Sequence, residues 1–192
     1  MTASTIWNRR MLPHGSHYIA VLDTCVLAPM PLCDTLLRLA EDPAFYIPKW
    51  SDDILRELRS TLQRMGYTPA QAGRRITAME SAFEDANVTG YERLIASMTN
   101  DPKDRHVLAA AVRSGAHAIV THNARHFLPA SVKPYEVEVL TPDDFLVHQF
   151  HLNCELLIER LANQAAARGV TLQSMLDRLR GQAPNCVRLL RA

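Results

Sequence analysis

YIAVLDTCVL, from Tyr18 to Leu27, is the stretch around which the rest of the chain can be organised. Its apolar run from Ile19 to Leu22 is typical of a buried strand, and this run stops at the acid Asp23. A carboxylate at the end of a buried strand is costly unless it has a function, and open α/β sheets bind ligands at the carboxyl ends of their strands. Asp23 is therefore the first candidate residue of a functional site.

The composition favours a folded chain with one main domain. The 192 residues are 47% hydrophobic and 21% charged, as in globular proteins, and the net charge of +1 does not indicate a polyanionic partner. The four cysteines have no CxxC spacing, which argues against a zinc knuckle or dithiol redox motif and favours reduced thiols. Because no stretch is typical of a signal peptide or a membrane span, we expect a cytoplasmic protein without membrane contact.

Strand and helix patterns alternate in an order that predicts an α/β fold, with a mostly parallel sheet flanked by helices. Further strands are expected at residues 45–47, 116–120 and 137–140. Ser51 should begin one helix, and the capping box that starts at Thr68 should begin another that runs to about residue 87. We expect a leader at residues 1–17, the α/β domain at 18–150 and an Arg-rich helical extension at 151–192.

A second polar landmark is the segment that begins DPKDRHVLAAA at Asp101. Asp101 fits an N-cap and Pro102 the first helical residue, which places Asp104 at the third helical position. There the free backbone N–H groups and the helix dipole should keep the Asp104 carboxylate ionised. The helix should end at Gly115, and the strand after it leads into Thr121-His122-Asn123.

Four of these polar positions suit one metal site: Asp23, Glu57, Asp104 and Asn123. A parallel sheet can bring strand ends and helix starts such as these to one edge. Carboxylate and amide oxygens without a matched His or Cys set are ligands for Mg²⁺ or Mn²⁺ rather than zinc. A cation held in this way can activate water and screen a phosphodiester, which is what phosphoryl transfer requires.

Each residue also has an ordinary structural explanation. Asp23 fits a loop cap, Asp104 complements its helix dipole, and Asn123 suits a turn. Glu57 stands between Arg56 and Arg59, with which it could form a surface ion pair. Taken singly, these residues do not establish a site.

Three segments together resemble PIN domains, and in particular the VapC-like ribonuclease toxins of type II toxin-antitoxin pairs. They are VLDTCVL, SDDILREL and DPKDRHVLAAAVRSGAHAIVTHNARHFLP, and the resemblance covers about residues 18–150. It implies a PIN-like fold in which Asp23, Glu57 and Asp104 bind Mg²⁺ or Mn²⁺ and cut RNA. At the position of a further family acid this chain has Asn123, which we expect to orient water or a ligand.

The resemblance also implies partners: a cognate antitoxin, an RNA substrate and a second copy of the chain in a homodimer. Polar residues near the expected site are candidates for RNA contact, namely Thr24, Arg105, Thr121, His122, Arg125 and His126. The arginines after residue 151 either contact RNA, dock the antitoxin or lie in solvent on helices packed against the core.

Two other functions are alternatives to a metal nuclease for this sequence. A phosphotransferase of the haloacid dehalogenase type needs a second acid two residues after the first, where this chain has Cys25. A catalytically silent PIN-like module that binds RNA or protein would tolerate Asp104→Asn, whereas a metal nuclease would not.

Overall fold

The computed structural model describes residues 18–192, so the leader expected at residues 1–17 lies outside the described part of the chain. At its centre is a five-stranded sheet in which every neighbouring pair of strands is parallel. The strands are β1 (Ile19–Leu22), β2 (Ile47–Ser51), β3 (Asn87–Val88), β4 (Ala118–Val120) and β5 (Glu138–Leu140), in the order β3-β2-β1-β4-β5. The predicted α/β fold with a mostly parallel sheet is confirmed.

Helices flank this sheet and continue beyond it as the predicted C-terminal helical extension. They are α1 (Thr24–Leu27), α2 (Met30–Leu39), α3 (Asp52–Arg64), α4 (Pro69–Ala82), α5 (Glu92–Ile95), α6 (Arg105–Ser114), α7 (Pro129–Val132), α8 (Pro142–Leu152), α9 (Cys154–Ala167), α10 (Leu172–Leu179) and α11 (Pro184–Leu190). Short 3-10 turns lie at Glu84–Ala86, Pro102–Asp104, Ala124–His126 and Lys133–Tyr135.

Strand β1 lies in the middle of the sheet, and its side chains from Ala20 to Leu22 are fully buried. Its last residue, Leu22, is in register with Val120, the last residue of β4. Burial of each such aliphatic side chain contributes about 1.5–3 kcal/mol, which fixes both strands firmly in the core. The residues that follow the two strands therefore leave the sheet side by side.

Local capping signals define several helices as the sequence predicts. The Ser51 hydroxyl accepts a hydrogen bond from the backbone N–H of Ile54 at the start of α3. Thr68 and Gln71 form the expected capping box at the start of α4. Helix α6 ends at Gly115, whose φ of 62° lies in the left-handed region that glycine tolerates.

Other boundaries differ from the sequence predictions. Helix α4 ends at Ala82 rather than near residue 87, because a 3-10 turn follows and Asn87–Val88 pairs with β2 as an edge strand. Strand β2 begins at Ile47, two residues after its predicted start. The expected loop after Asp23 contains α1, and the Arg75 side chain donates hydrogen bonds to the carbonyls of Leu27 and Ala28 at its end.

The C-terminal helices pack against the first half of the chain. The buried Gln164 of α9 accepts a hydrogen bond from Thr35 of α2 and donates one to the Pro31 carbonyl. Arg168 binds Asp34 of α2 through two nitrogens. The domain limit expected at residue 150 falls inside α8, and the division into domains stays a prediction.

Within residues 18–192, no helix combines the length and apolarity needed to cross a membrane.

Candidate active site

The candidate site lies where the order of the strands along the sheet reverses. The chain forms β1, β2 and β3 outward on one side and then crosses back to form β4 and β5 on the other. This makes the junction of β1 and β4 the topological switch point, where ligands of open α/β sheets bind. Asp23 follows β1 and Thr121 follows β4, and the Asp23 N–H donates to the Val120 carbonyl at 3.1 Å.

Asp23 is buried, with 3% of its surface exposed, and two side chains hold its carboxylate. Its Oδ2 accepts a hydrogen bond from the Thr121 hydroxyl at 2.6 Å and another from the Cys25 thiol at 3.1 Å. Burial, helped by the charge of Asp23, raises the pKa of Cys25 to about 12, so the thiol keeps its proton and remains a donor. The Cys25 sulfur also accepts from the His122 N–H at 3.1 Å, which ties the loop after β4 to α1.

Glu57 reaches the same edge from α3. The Thr24 hydroxyl lies 3.3 Å from Glu57 Oε2, and the Nε2 of His106 lies 3.6 Å from Glu57 Oε1. The Glu57 side chain is 49% exposed, whereas that of His106 is 10% exposed. Burial raises the pKa of Glu57, and the charges of Asp23 and Asp104 add to this shift against the opposing effects of His106 and Thr24.

Asp104 stands at the start of α6 in a geometry that differs from the prediction. Pro102–Asp104 forms a 3-10 turn, so Asp104 precedes the α-helix and its side chain makes no capping bond to it. Instead, its Oδ2 lies 2.5 Å from Nδ1 of His126. Asp101 is a cap, as expected, and accepts from the Lys103 N–H at 3.0 Å.

The surroundings of Asp104 act on its pKa in the opposite sense to a helix dipole. Burial raises the pKa of its carboxyl, and the charge of Asp23 adds to the shift, although the bond to His126 opposes it. The helix dipole was expected to favour the ionised form, but the side chain lies among other carboxylates and makes no bond to the helix N–H groups. Burial, with repulsion from Asp23, sets the direction of the shift.

A series of contacts and short sequence links joins all four predicted site residues around the switch point. Asp23 contacts Thr121, whose hydroxyl accepts from the Asn123 N–H at 2.9 Å, and the Asn123 carbonyl accepts from the His126 N–H at 2.8 Å. His126 contacts Asp104. His106 follows Asp104 by two residues and faces Glu57. Glu57 in turn contacts Thr24, the residue after Asp23. Asn123 joins this series through its backbone.

Five of the six candidates for RNA contact fall into two groups, and the sixth, His126, is half-buried and contacts Asp104. Thr24 and Thr121 are buried, and their hydroxyls contact Glu57 and Asp23, so these two side chains position carboxylates. His122 and Arg125 are exposed, and Arg105 is partly exposed. The second group is the one available to a nucleic acid.

Sequence reasoning missed His106. Its one signal was a polar residue next to the apolar run of α6 from Val107 to Ala111, all of which is buried. The residue is 8% exposed, and its Nε2 has no hydrogen-bond partner among residues 18–192. The Oε1 atom of Glu57 lies 3.6 Å from this nitrogen.

The side chains suit a hard divalent cation in their donor chemistry. Asp23, Glu57 and Asp104 offer carboxylate oxygens. Burial raises the pKa values of the last two, and the charges of neighbouring carboxylates add to both shifts. No three His, Cys, Asp or Glu side chains in the described chain are close enough to form a ready-made metal centre. A cation would thus have few protein ligands and several waters, the coordination that Mg²⁺ prefers.

Comparison with known proteins agrees with this architecture. A family model described as PIN domain matches residues 20–125, more than half of the chain. The protein named putative ribonuclease VapC50, from Mycobacterium tuberculosis, is 42% identical over 129 residues, which span 66% of this chain and 75% of that protein. No solved structure matched the chain closely enough to count as similar. The chain therefore belongs to the PIN domain family and, within that family, is VapC-like.

Proposed function

We propose that this chain is a Mg²⁺- or Mn²⁺-dependent endoribonuclease that acts as the toxin of a type II toxin-antitoxin pair. The observation that carries the proposal is that Asp23, Glu57 and Asp104 lie at the switch point of the sheet, near enough for the charges of Asp23 and Asp104 to raise the pKa of Glu57. Family membership and the ribonuclease name of the VapC relative support the same activity.

Asp23, Glu57 and Asp104 would hold the cation, Glu57 either directly or through water. When bound, a divalent cation supplies charge neutralisation at the phosphodiester and lowers the pKa of water near it. Asp23 is held in place by Thr121 and Cys25, and Asp104 by His126. Glu57 is half-exposed, so its carboxylate is open to water at the edge of the site.

Substrate and partners follow from the same proposal. The exposed Arg125 and His122 border the site and would contact phosphates of the RNA. A cognate antitoxin would block the acidic cleft, and the toxin would form a homodimer. The described cysteines are free thiols, in keeping with action on RNA in the cytoplasm.

The test is cleavage of a panel of tRNA, rRNA and mRNA by the wild type and Asp104→Asn, each with and without EDTA. Asparagine keeps the shape of the side chain and removes the charge that a cation needs. We expect the variant to lose more than the roughly 10- to 100-fold that losing a hydrogen-bond partner of a metal ligand costs. EDTA should abolish cleavage by the wild type, and added Mg²⁺ or Mn²⁺ should restore it.

Asp177→Asn is the matched control, because Asp177 is an exposed acid of α10 that pairs with Arg191. It should cut RNA at the wild-type rate. Equal cleavage by the wild type and Asp104→Asn, or cleavage unaffected by EDTA, would contradict the metal mechanism. A wild type that binds RNA and leaves the whole panel intact would favour the catalytically silent module.

A further inference from the structure

The orientation of Asp104 is set from outside its own helix. Its side chain makes no capping bond to α6, and the contact recorded for its carboxylate is with the imidazole of His126. His126 is 22 residues away in sequence, at the end of the 3-10 turn Ala124–His126 that follows β4. The loop after β4 therefore determines where the Asp104 oxygens lie.

The neighbouring arginine fixes which ring nitrogen of His126 carries the proton. Arg125 Nε lies 3.3 Å from His126 Nε2, and a guanidinium nitrogen can only donate. His126 Nε2 must then be the acceptor with a free lone pair, so the ring proton is on Nδ1. That Nδ1–H points to Asp104 Oδ2 at 2.5 Å and donates a hydrogen bond to it.

The backbone of His126 is fixed on both sides. Its N–H donates to the Asn123 carbonyl at 2.8 Å, and its carbonyl accepts from the Asp101 N–H at 3.0 Å. One residue thus joins the end of β4 to the turn that carries Asp104. With 24% of the His126 side chain and 13% of the Asp104 side chain exposed, the bond between them is largely shielded from water.

We propose that His126, with its tautomer set by Arg125, is a positioning residue that holds the Asp104 carboxylate through Oδ2 in the orientation in which it would bind a cation. This inference rests on the proposed function. It gives His126 a role in metal binding rather than in RNA contact alone. Hydrogen bonds to ligating carboxylates orient them in this way in other metal sites.

The first test measures binding of Mn²⁺ alone by calorimetry, without RNA. Asparagine attaches its amide nitrogen to Cγ, as histidine attaches Nδ1, whereas glutamine places its amide nitrogen one bond further out, near Nε2. We expect His126→Gln and His126→Ala to bind Mn²⁺ about 10- to 100-fold more weakly and His126→Asn to stay within about threefold of the wild type. Arg125→Ala should weaken binding less than His126→Gln.

The matched control is His148→Asn, because His148 is an exposed histidine of α8. It should bind Mn²⁺ as the wild type does. If His126→Asn binds as weakly as His126→Gln, the positioning role is refuted, since a role in stability alone would not distinguish the two amides in folded protein.

The second test uses the wild type alone, so it does not depend on whether a variant folds. Nitrogen-15 NMR of the metal-free protein should show a protonated Nδ1 and an unprotonated Nε2 for His126. The opposite tautomer would overturn the proposal.

Failure of this inference and failure of the proposed function are distinguishable. A wild type that binds Mn²⁺ with the expected variant pattern and leaves RNA intact would refute the nuclease and keep the positioning role. A wild type that binds no Mn²⁺ would refute both the metal mechanism and the role of His126 toward a cation.

Discussion

At the scale of single residues, ionisation of Glu57 lowers the stability of the folded protein, and this effect is measurable without RNA. Burial raises the pKa of Glu57 above its ordinary value of 4.5, and two neighbouring carboxylates add to this shift. In the pH range between the unfolded and folded pKa values, the native protein binds more protons than the unfolded chain. Stability therefore falls as pH rises through that range, and the loss persists at neutral pH.

Glu57→Gln removes this cost, because the amide is neutral and its oxygen can still accept from the Thr24 hydroxyl. We expect the variant to melt at a higher temperature than the wild type at pH 7 and at the same temperature below about pH 4, where Glu57 is protonated in both states. Thermal unfolding of metal-free protein at both pH values measures the difference. Added Mg²⁺ should stabilise the wild type more than the variant.

The exposed Glu159 of α9 provides a control, and Glu159→Gln should change neither melting curve appreciably. If Glu57→Gln raised the melting temperature as much at acidic as at neutral pH, the charge of Glu57 would not be the source of the increase.

At the scale of elements, the start of α3 decides where Glu57 lies. The fully buried Ser51 caps this helix through its hydroxyl, and the Tyr91 hydroxyl donates to the Asp53 carboxylate at 2.8 Å in the first turn. Ser51→Ala leaves the Ile54 N–H without its partner and should lower the free energy of unfolding by about 0.5–2 kcal/mol.

Urea denaturation measures this loss, with Ser60→Ala as the control, because the exposed Ser60 lies in the same helix and its hydroxyl donates to the Arg56 carbonyl within that helix. If both variants lose equal stability, the cap contributes nothing of its own.

Elements with local signals could be predicted from the sequence, and elements that depend on distant partners could not. Strand β1, the caps of α3 and α4 and the end of α6 each follow from apolar runs, hydroxyls or glycine within a few residues. Strand β3 has only two residues and exists because Asn87 and Val88 pair with Trp50 and Ser51. No local pattern encodes that pairing.

The same distinction applies to the site. The positions of Asp23 and Asp104 follow from a strand end and a helix start, and the family resemblance supports these two together with Glu57. The contacts that hold them were not predictable. His126 contacts Asp104, and His106 lies near Glu57, although the partners are far apart in sequence. Local reasoning likewise did not anticipate the raised pKa of Asp104, since it considered the helix and not burial or the neighbouring acid Asp23.

At the scale of the whole molecule, the C-terminal helices join the body through buried polar contacts. Asp143 of α8 is 9% exposed, and its carboxylate accepts from the N–H groups of Asn185 and Cys186 and from the Asn185 amide. This carboxylate thereby satisfies the free N–H groups at the start of α11. Together with the contacts of α9 on α2, it favours unfolding of the described chain as one unit.

Asp143→Ala tests that cooperativity. The substitution leaves two N–H groups of α11 without their acceptor, and we expect a loss of about 1–3 kcal/mol with a single unfolding transition that shifts as a whole. Fluorescence and circular dichroism during urea unfolding should give coincident curves for both the wild type and the variant. Asp177→Ala removes an exposed acid that pairs with Arg191 and should cost no more than about 1 kcal/mol. Two separate transitions, of which Asp143→Ala moves only one, would instead mean that the helices after residue 150 fold as an independent domain.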